Sequence, residues 1–168
     1  MLAKLIVEGK EFPIEIQDPR LKELLMQKKK TGYERVSFGQ KYYYNLLVPH
    51  KIEDVKDRND DIDNESYEIA NYYSDKTIAE NNDRADKLMR KLRRFAVEHR
   101  KNNFDWNDNE LKFGIFYSYD SNNLYVSSAC KHKEFGSAYF DSEDSAKLAI
   151  ETFHDELIWY FTEYKDSL

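Results

Sequence analysis

Between positions 78 and 96 the apolar residues Ile78, Ala85, Leu88, Leu92, Phe95 and Ala96 fall at the spacing of one α-helical face. A helix apolar on one side has to be covered by another layer, so this stretch rules out an isolated helix or a purely polar rod. Thr77-Ile-Ala-Glu80 reads as a capping box that starts the helix, which runs to about Arg100. A second helical pattern follows Asp141-Ser142, with Ala146, Ile150, Phe153, Leu157, Phe161 and Tyr164 on one side. The covering layer lies between them. ELKFGIFYSYD and NLYVSSACK form a hairpin across Ser121-Asn122-Asn123, and GSAYF supplies a third strand. The expected fold class is α+β: an antiparallel meander covered by two long helices, with a small β-rich N-terminal part.

In that N-terminal part, LAKLIVEG and EFPIEI suit two strands around Glu8-Gly9-Lys10. Asp18 and Pro19 then open a helix that ends near Lys29, before Gly32. The expected division is a hairpin-helix extension over 1–30 and an α+β domain over 31–168. YERVSFGQKYYYNLLVP reads as two strands around Phe38-Gly39-Gln40, followed by an acidic loop. Glu65 to Tyr73, short and aromatic, reads as a further strand. Five Gly and three Pro argue for short connections. One cysteine, Cys130, permits no internal disulfide and fits a reducing, cytoplasmic setting. The N-terminal MLAKLIVEGKEF is charged too early for a signal peptide, and no apolar run approaches the roughly 20 residues that span a bilayer.

The net charge of −6 is unevenly laid out. Residues 53–68 carry eight acids against two bases, residues 84–101 eight bases against two acids, and residues 141–168 eight acids against two bases. Segregated charge steers partners more than it shapes a fold.

Several chemistries can be weighed on spacing. DRNDDIDNESYE, residues 57–68, sets Asp57, Asn59, Asp61, Asp63 and Glu68 at the ligand positions of a calcium loop. The sharp turn such a loop needs falls on Ile62 instead of glycine, and a strand rather than a helix is expected before it, so a metal site is not expected. His50, His99, His132 and His154 show no helical zinc spacing, and Cys130-Lys-His132 offers two ligands only. Cys130 reads as a small core residue. Ser127 and Ser128 have no glycine elbow, and no phosphate-cradling glycine motif is present, so neither a catalytic residue nor a cofactor is expected.

Two surfaces remain. Arg84, Lys87, Arg90, Lys91, Arg93 and Arg94, with Arg100 and Lys101 beyond them, line the solvent side of the helix 84–101 and suit phosphate contacts. A solvated helix face, or pairing with the acidic blocks, accounts for the same run. Conversely, Asp57, Asp60, Asp61, Asp63 and Glu65, with Glu143, Asp144, Asp155 and Glu156, can present carboxylates to a basic groove on a partner protein. Tyr72 and Tyr73, with Tyr42, Tyr43 and Tyr44, can anchor such an interface. For most of these tyrosines, alternation between the core and surface of a sheet is the simpler reading.

KKTGYERVSFGQKYYY, DDIDNESYEIANYYSD, LRRFAVEHR, DWNDNELKFGIFYSYDSNNLYV and GSAYFDSEDSAKLAIETFHDE together resemble a family of phage and prophage accessory proteins of Gram-positive bacteria. The resemblance covers roughly residues 30–168. It departs at Ala70, where the family has glycine, and at Tyr73, where it has phenylalanine. It implies a phage-encoded, non-enzymatic protein that binds and inhibits a host defence nuclease complex in the manner of an anti-CRISPR protein. The acidic, tyrosine-bearing surface is then the contact. The alternative is a nucleic-acid-binding phage accessory protein using the basic helix 84–101.

Overall fold

The computed structural model describes residues 2–7, 10–15, 17–20, 30–46, 51–102, 104–129 and 132–166. The chain divides into two compact units, residues 1–31 and 32–167. In the first, β1 (Leu2–Val7) and β2 (Lys10–Glu15) pair antiparallel from Leu2 opposite Glu15 to Val7 opposite Lys10. Asp18 Oδ1 accepts from the Arg20 amide at 2.7 Å, where a helix begins at Pro19. The expected body of that helix, and the turn at Glu8-Gly9, lie outside the described residues.

The second unit opens with the hairpin of β3 (Lys41–Leu46) and β4 (Lys51–Lys56), followed by α1 (Asp61–Glu68) and α2 (Lys76–Glu98). Next come β5 (Lys112–Ser118), β6 (Asn123–Ala129) and β7 (Tyr139–Phe140), then α3 (Glu143–Thr152) and α4 (His154–Thr162). The core joins Leu88, Leu92, Phe95 and Ala96 of α2 to Leu124, Phe140, Ala146, Ala149 and Leu157. A smaller cluster packs Tyr73, Ile78 and Ala79 against Tyr33, Tyr43 and Ile52. The six residues expected on the inner face of α2 are all buried.

The α+β class holds, with several corrections of detail. The three-stranded sheet runs β6-β5-β7, so β7 returns to the far side of β5 and the sheet is not a sequential meander. Among the described residues one long helix is present, the 23-residue α2. The second pattern breaks at Phe153, whose backbone leaves helical geometry at φ −116°, ψ 22°. The partner of β3 is KIEDVK, a charged segment expected to be loop, and residues 33–37 form no strand. Residues 61–68, expected as loop and strand, form a helix because Asp60 caps it. The Asp60 carboxylate accepts from the Asp63 amide while Asp63 reaches back to the Asp60 amide. Tyr73 does reach β-geometry, but only as a single bridge to Tyr43. Asp75, not Thr77, caps α2, accepting from the Ile78 amide at 3.1 Å.

Candidate functional site

The acidic segment is used mostly inward. Asp57 accepts from the Tyr72 hydroxyl at 2.7 Å, the Arg35 Nε at 3.1 Å and the Asn59 amide at 2.7 Å. Asp63 accepts from the Tyr42 hydroxyl at 2.9 Å and the Arg58 amide at 2.6 Å. Tyr42 and Tyr72 stack with ring centroids 3.8 Å apart. Burial pushes both carboxyls upward in pKa, but these donors outweigh it and hold Asp57 and Asp63 below the ordinary carboxylate range. Burial likewise raises the Tyr42 phenol to about 12, helped by Asp63.

This arrangement corrects the expected acidic surface. Asp57, Asp63, Tyr72 and Tyr73 are buried: the two carboxylates and the Tyr72 hydroxyl are engaged inside the fold, and the Tyr73 backbone pairs with Tyr43. Asp60, Asp61 and Glu65 remain exposed. Glu143 and Asp144 are exposed too, but Glu143 pairs with Lys147 at 2.6 Å, and Asp144 lines a recess with Glu98, His99 and Lys101. That recess is at the C-terminal end of α2, whereas Asn45 of β3 meets α2 at Asp83. The helix between Asp83 and Glu98 rises about 22 Å at about 1.5 Å per residue. The second acidic block is itself spread along α2, with Asp144 near Glu98 and Glu156 at Arg84. Of the carboxylates at calcium-loop spacing, Asp57 and Asp63 accept from protein donors while Asp61 and Glu68 are exposed, and no metal-holding cluster of His, Cys, Asp or Glu occurs among the described residues. Cys130 lies outside them.

The basic helix divides differently. Arg84 pairs with Glu156 at 2.9 Å and stacks over Trp159 at 3.9 Å, so it ties α2 to α4. Lys87 pairs with the buried Asp83. Arg94 reaches Glu98 at 3.6 Å, a contact between two exposed side chains that adds little stability. Arg90, Lys91 and Arg93 are exposed and form no ion pair among the described residues.

Beside Arg93 lies a feature the sequence reading passed over. Arg93, Val97 and Arg100 border an open recess of about 220 Å³ whose walls include Phe104, Trp106, Lys133, Ser137 and Tyr139. The Arg100 guanidinium sits 4.5 Å from the Phe104 ring centroid. Lys133 Nζ stands 5.8 Å from that of Trp106. Trp106 is held edge-on against Tyr139 at 4.9 Å and against Phe104 at 5.8 Å. Nothing in the sequence spacing links Trp106 to Lys133 or Arg93, which come together only in three dimensions.

No helix among the described residues is long and apolar enough to cross a membrane. The described residues define an α+β protein with a cationic, aromatic-lined recess beside α2. Comparison with protein-family models, curated proteins and solved structures finds no match.

Proposed function

We propose that this chain is a non-enzymatic nucleic-acid-binding protein that grips phosphates with the solvent face of α2. The observation that carries the reading is the set of cations that form no ion pair among the described residues: Arg90, Lys91 and Arg93 stand exposed on that face. Internal bonds hold Asp57 and Asp63 elsewhere. Phosphate binding needs cations free of internal pairing, because each one already neutralised has no counterion to displace. A double variant, Arg90→Glu with Arg93→Glu, tests it by fluorescence anisotropy with labelled DNA and RNA. Affinity should fall roughly tenfold or more, with melting behaviour unchanged. Unchanged affinity in a folded variant removes the reading.

A second reading is supported by a different surface. Ile62 and Ile69, two turns apart on and just after α1, are each 72% exposed, with Asp61 and Glu65 on the same short helix. An exposed apolar pair rimmed by acid suits a basic protein partner. With the resemblance to phage accessory proteins, it supports a phage-encoded inhibitor of a host defence nuclease complex acting in the cytoplasm. The test is plating of a targeted phage on a CRISPR-active host expressing the protein. Protection that is lost on Ile62→Asp with Glu65→Lys supports this reading, and absence of protection by the wild type refutes it.

A further inference from the structure

The recess beside α2 has a chemistry more particular than a cationic patch. It offers aromatic ring faces and edges next to cations. Arg93, Lys133 and Ser137 also border a second recess of about 410 Å³, whose remaining walls are Glu134, Phe135 and Gly136. The two recesses share a boundary and form a trough. One end carries Phe104 and Trp106, and the other carries Phe135, which is fully exposed. The loop bearing Lys133 and Phe135 is held in place by the Glu134 amide, which donates to the Tyr139 hydroxyl at 3.1 Å. Positive φ at Gly136, 82°, lets the chain turn there.

The exposed Phe135 and half-buried Trp106 stand next to Lys133 and Arg93, a combination that suits a ligand carrying both aromatic faces and negative charge. Duplex DNA keeps its base faces stacked internally and offers phosphates and groove edges but no free base face for Trp106 or Phe135 to stack on. An unpaired strand presents both phosphate and free base faces, and proteins that bind it pair a cationic track with stacking platforms. We propose that the trough running from Phe104 and Trp106 past Arg93 and Lys133 to Phe135 binds single-stranded nucleic acid, with unpaired bases against the rings and phosphates against the cations. Two acids lie close by: Glu134 on the rim of the second recess, and Asp105, exposed between Phe104 and Trp106 in sequence. Neither forms an ion pair with Arg93 or Lys133 among the described residues. A strand threads between such rims with its phosphates on the α2 side.

This inference rests on the nucleic-acid reading and narrows it, and one experiment separates the two. A labelled oligo-dT of about fifteen nucleotides and a duplex of equal length are titrated by anisotropy against wild type, Trp106→Ala and Phe135→Ala. The wild type is expected to bind the single strand about tenfold or more tighter than the duplex, and each variant to lose about tenfold in single-strand affinity but none in duplex affinity. Because Phe135 is fully exposed, its variant does not depend on the core, so it keeps the test valid if Trp106→Ala unfolds. Tryptophan fluorescence quenched by oligo-dT in the wild type and not in Trp106→Phe gives a direct reading of stacking. Equal affinity for both probes, or single-strand binding untouched by Phe135→Ala, overturns the trough and leaves the phosphate-binding face standing. Binding of neither probe overturns both.

Discussion

The Tyr72 hydroxyl donates to the Asp57 carboxylate at 2.7 Å, and both residues are 1% exposed. The contact joins the end of the β3–β4 hairpin to the segment entering α2. It turns an acid expected on the surface into a structural post. Asp57→Ala leaves the buried Tyr72 hydroxyl and one donor of the partly exposed Arg35 without their acceptor, and should cost about 3 kcal/mol in urea denaturation. Tyr72→Phe removes one donor to a charged acceptor and should cost about 1.5 kcal/mol. Losses below about 0.5 kcal/mol for both would show that the network contributes little, since that is the scatter of ordinary surface changes.

Acid should destabilise the fold through the same carboxylates. Asp57, Asp63 and Asp141 are each buried, yet held below the ordinary range by hydrogen bonds from protein donors. Their folded pKa values lie below the unfolded value of about 3.9, so their stabilisation is complete above that pH and drains away as pH falls through the folded values. Melting temperature should be flat near neutrality and drop below about pH 4, and Asp57→Asn should flatten that drop. On the alkaline side the sign reverses. The Tyr42 phenol is raised to about 12, so the stability tied to its neutral form falls as pH climbs from about 10 towards that value.

Two glycines with left-handed backbones should respond differently to alanine. Gly32 has φ 95°, and a Cβ there would meet Ile78 Cγ1 at 2.7 Å. Gly39 has φ 81° with nothing within 4 Å. Gly39→Ala should cost about 1 kcal/mol of backbone strain, while Gly32→Ala adds a core clash and should exceed about 2 kcal/mol. Equal costs by chemical denaturation would contradict the packing of Gly32 on Ile78.

The start of α2 offers a direct comparison between pattern and structure. Asp75→Ala should cost about 1 kcal/mol, and Thr77→Ala, already inside the helix, less than about 0.5 kcal/mol. The reverse order, read by thermal melting, would place the cap at Thr77.

That misplacement shows what sequence patterns carry and what they omit. The inner face of α2 and the β5–β6 hairpin were legible, because burial of a whole side imposes a period on the residues. The cap was not, because Asp75 and Thr77 both satisfy the chemistry and only backbone geometry chooses between them. KIEDVK escaped notice as β4, since an edge strand bears charge that a pattern search reads as loop. The acidic run failed for a related reason. Asp57 and Asp63 look like surface residues by type, and only the distant Tyr72, Arg35 and Tyr42 make their burial affordable. The cations of α2 were legible as a run, but which of them are already paired depends on Glu156 and Trp159 far along the chain. The trough was invisible, because Phe104, Trp106, Lys133 and Arg93 meet across three separate segments.

The measurement closest to the central claim is the salt dependence of wild-type binding to a labelled single strand. With Arg90, Lys91 and Arg93 each neutralising a phosphate, log K should fall against log salt with a slope of about −2 or steeper, and Arg90→Glu with Arg93→Glu should flatten it. A slope near zero, or a slope the double variant leaves unchanged, would contradict phosphate binding by α2.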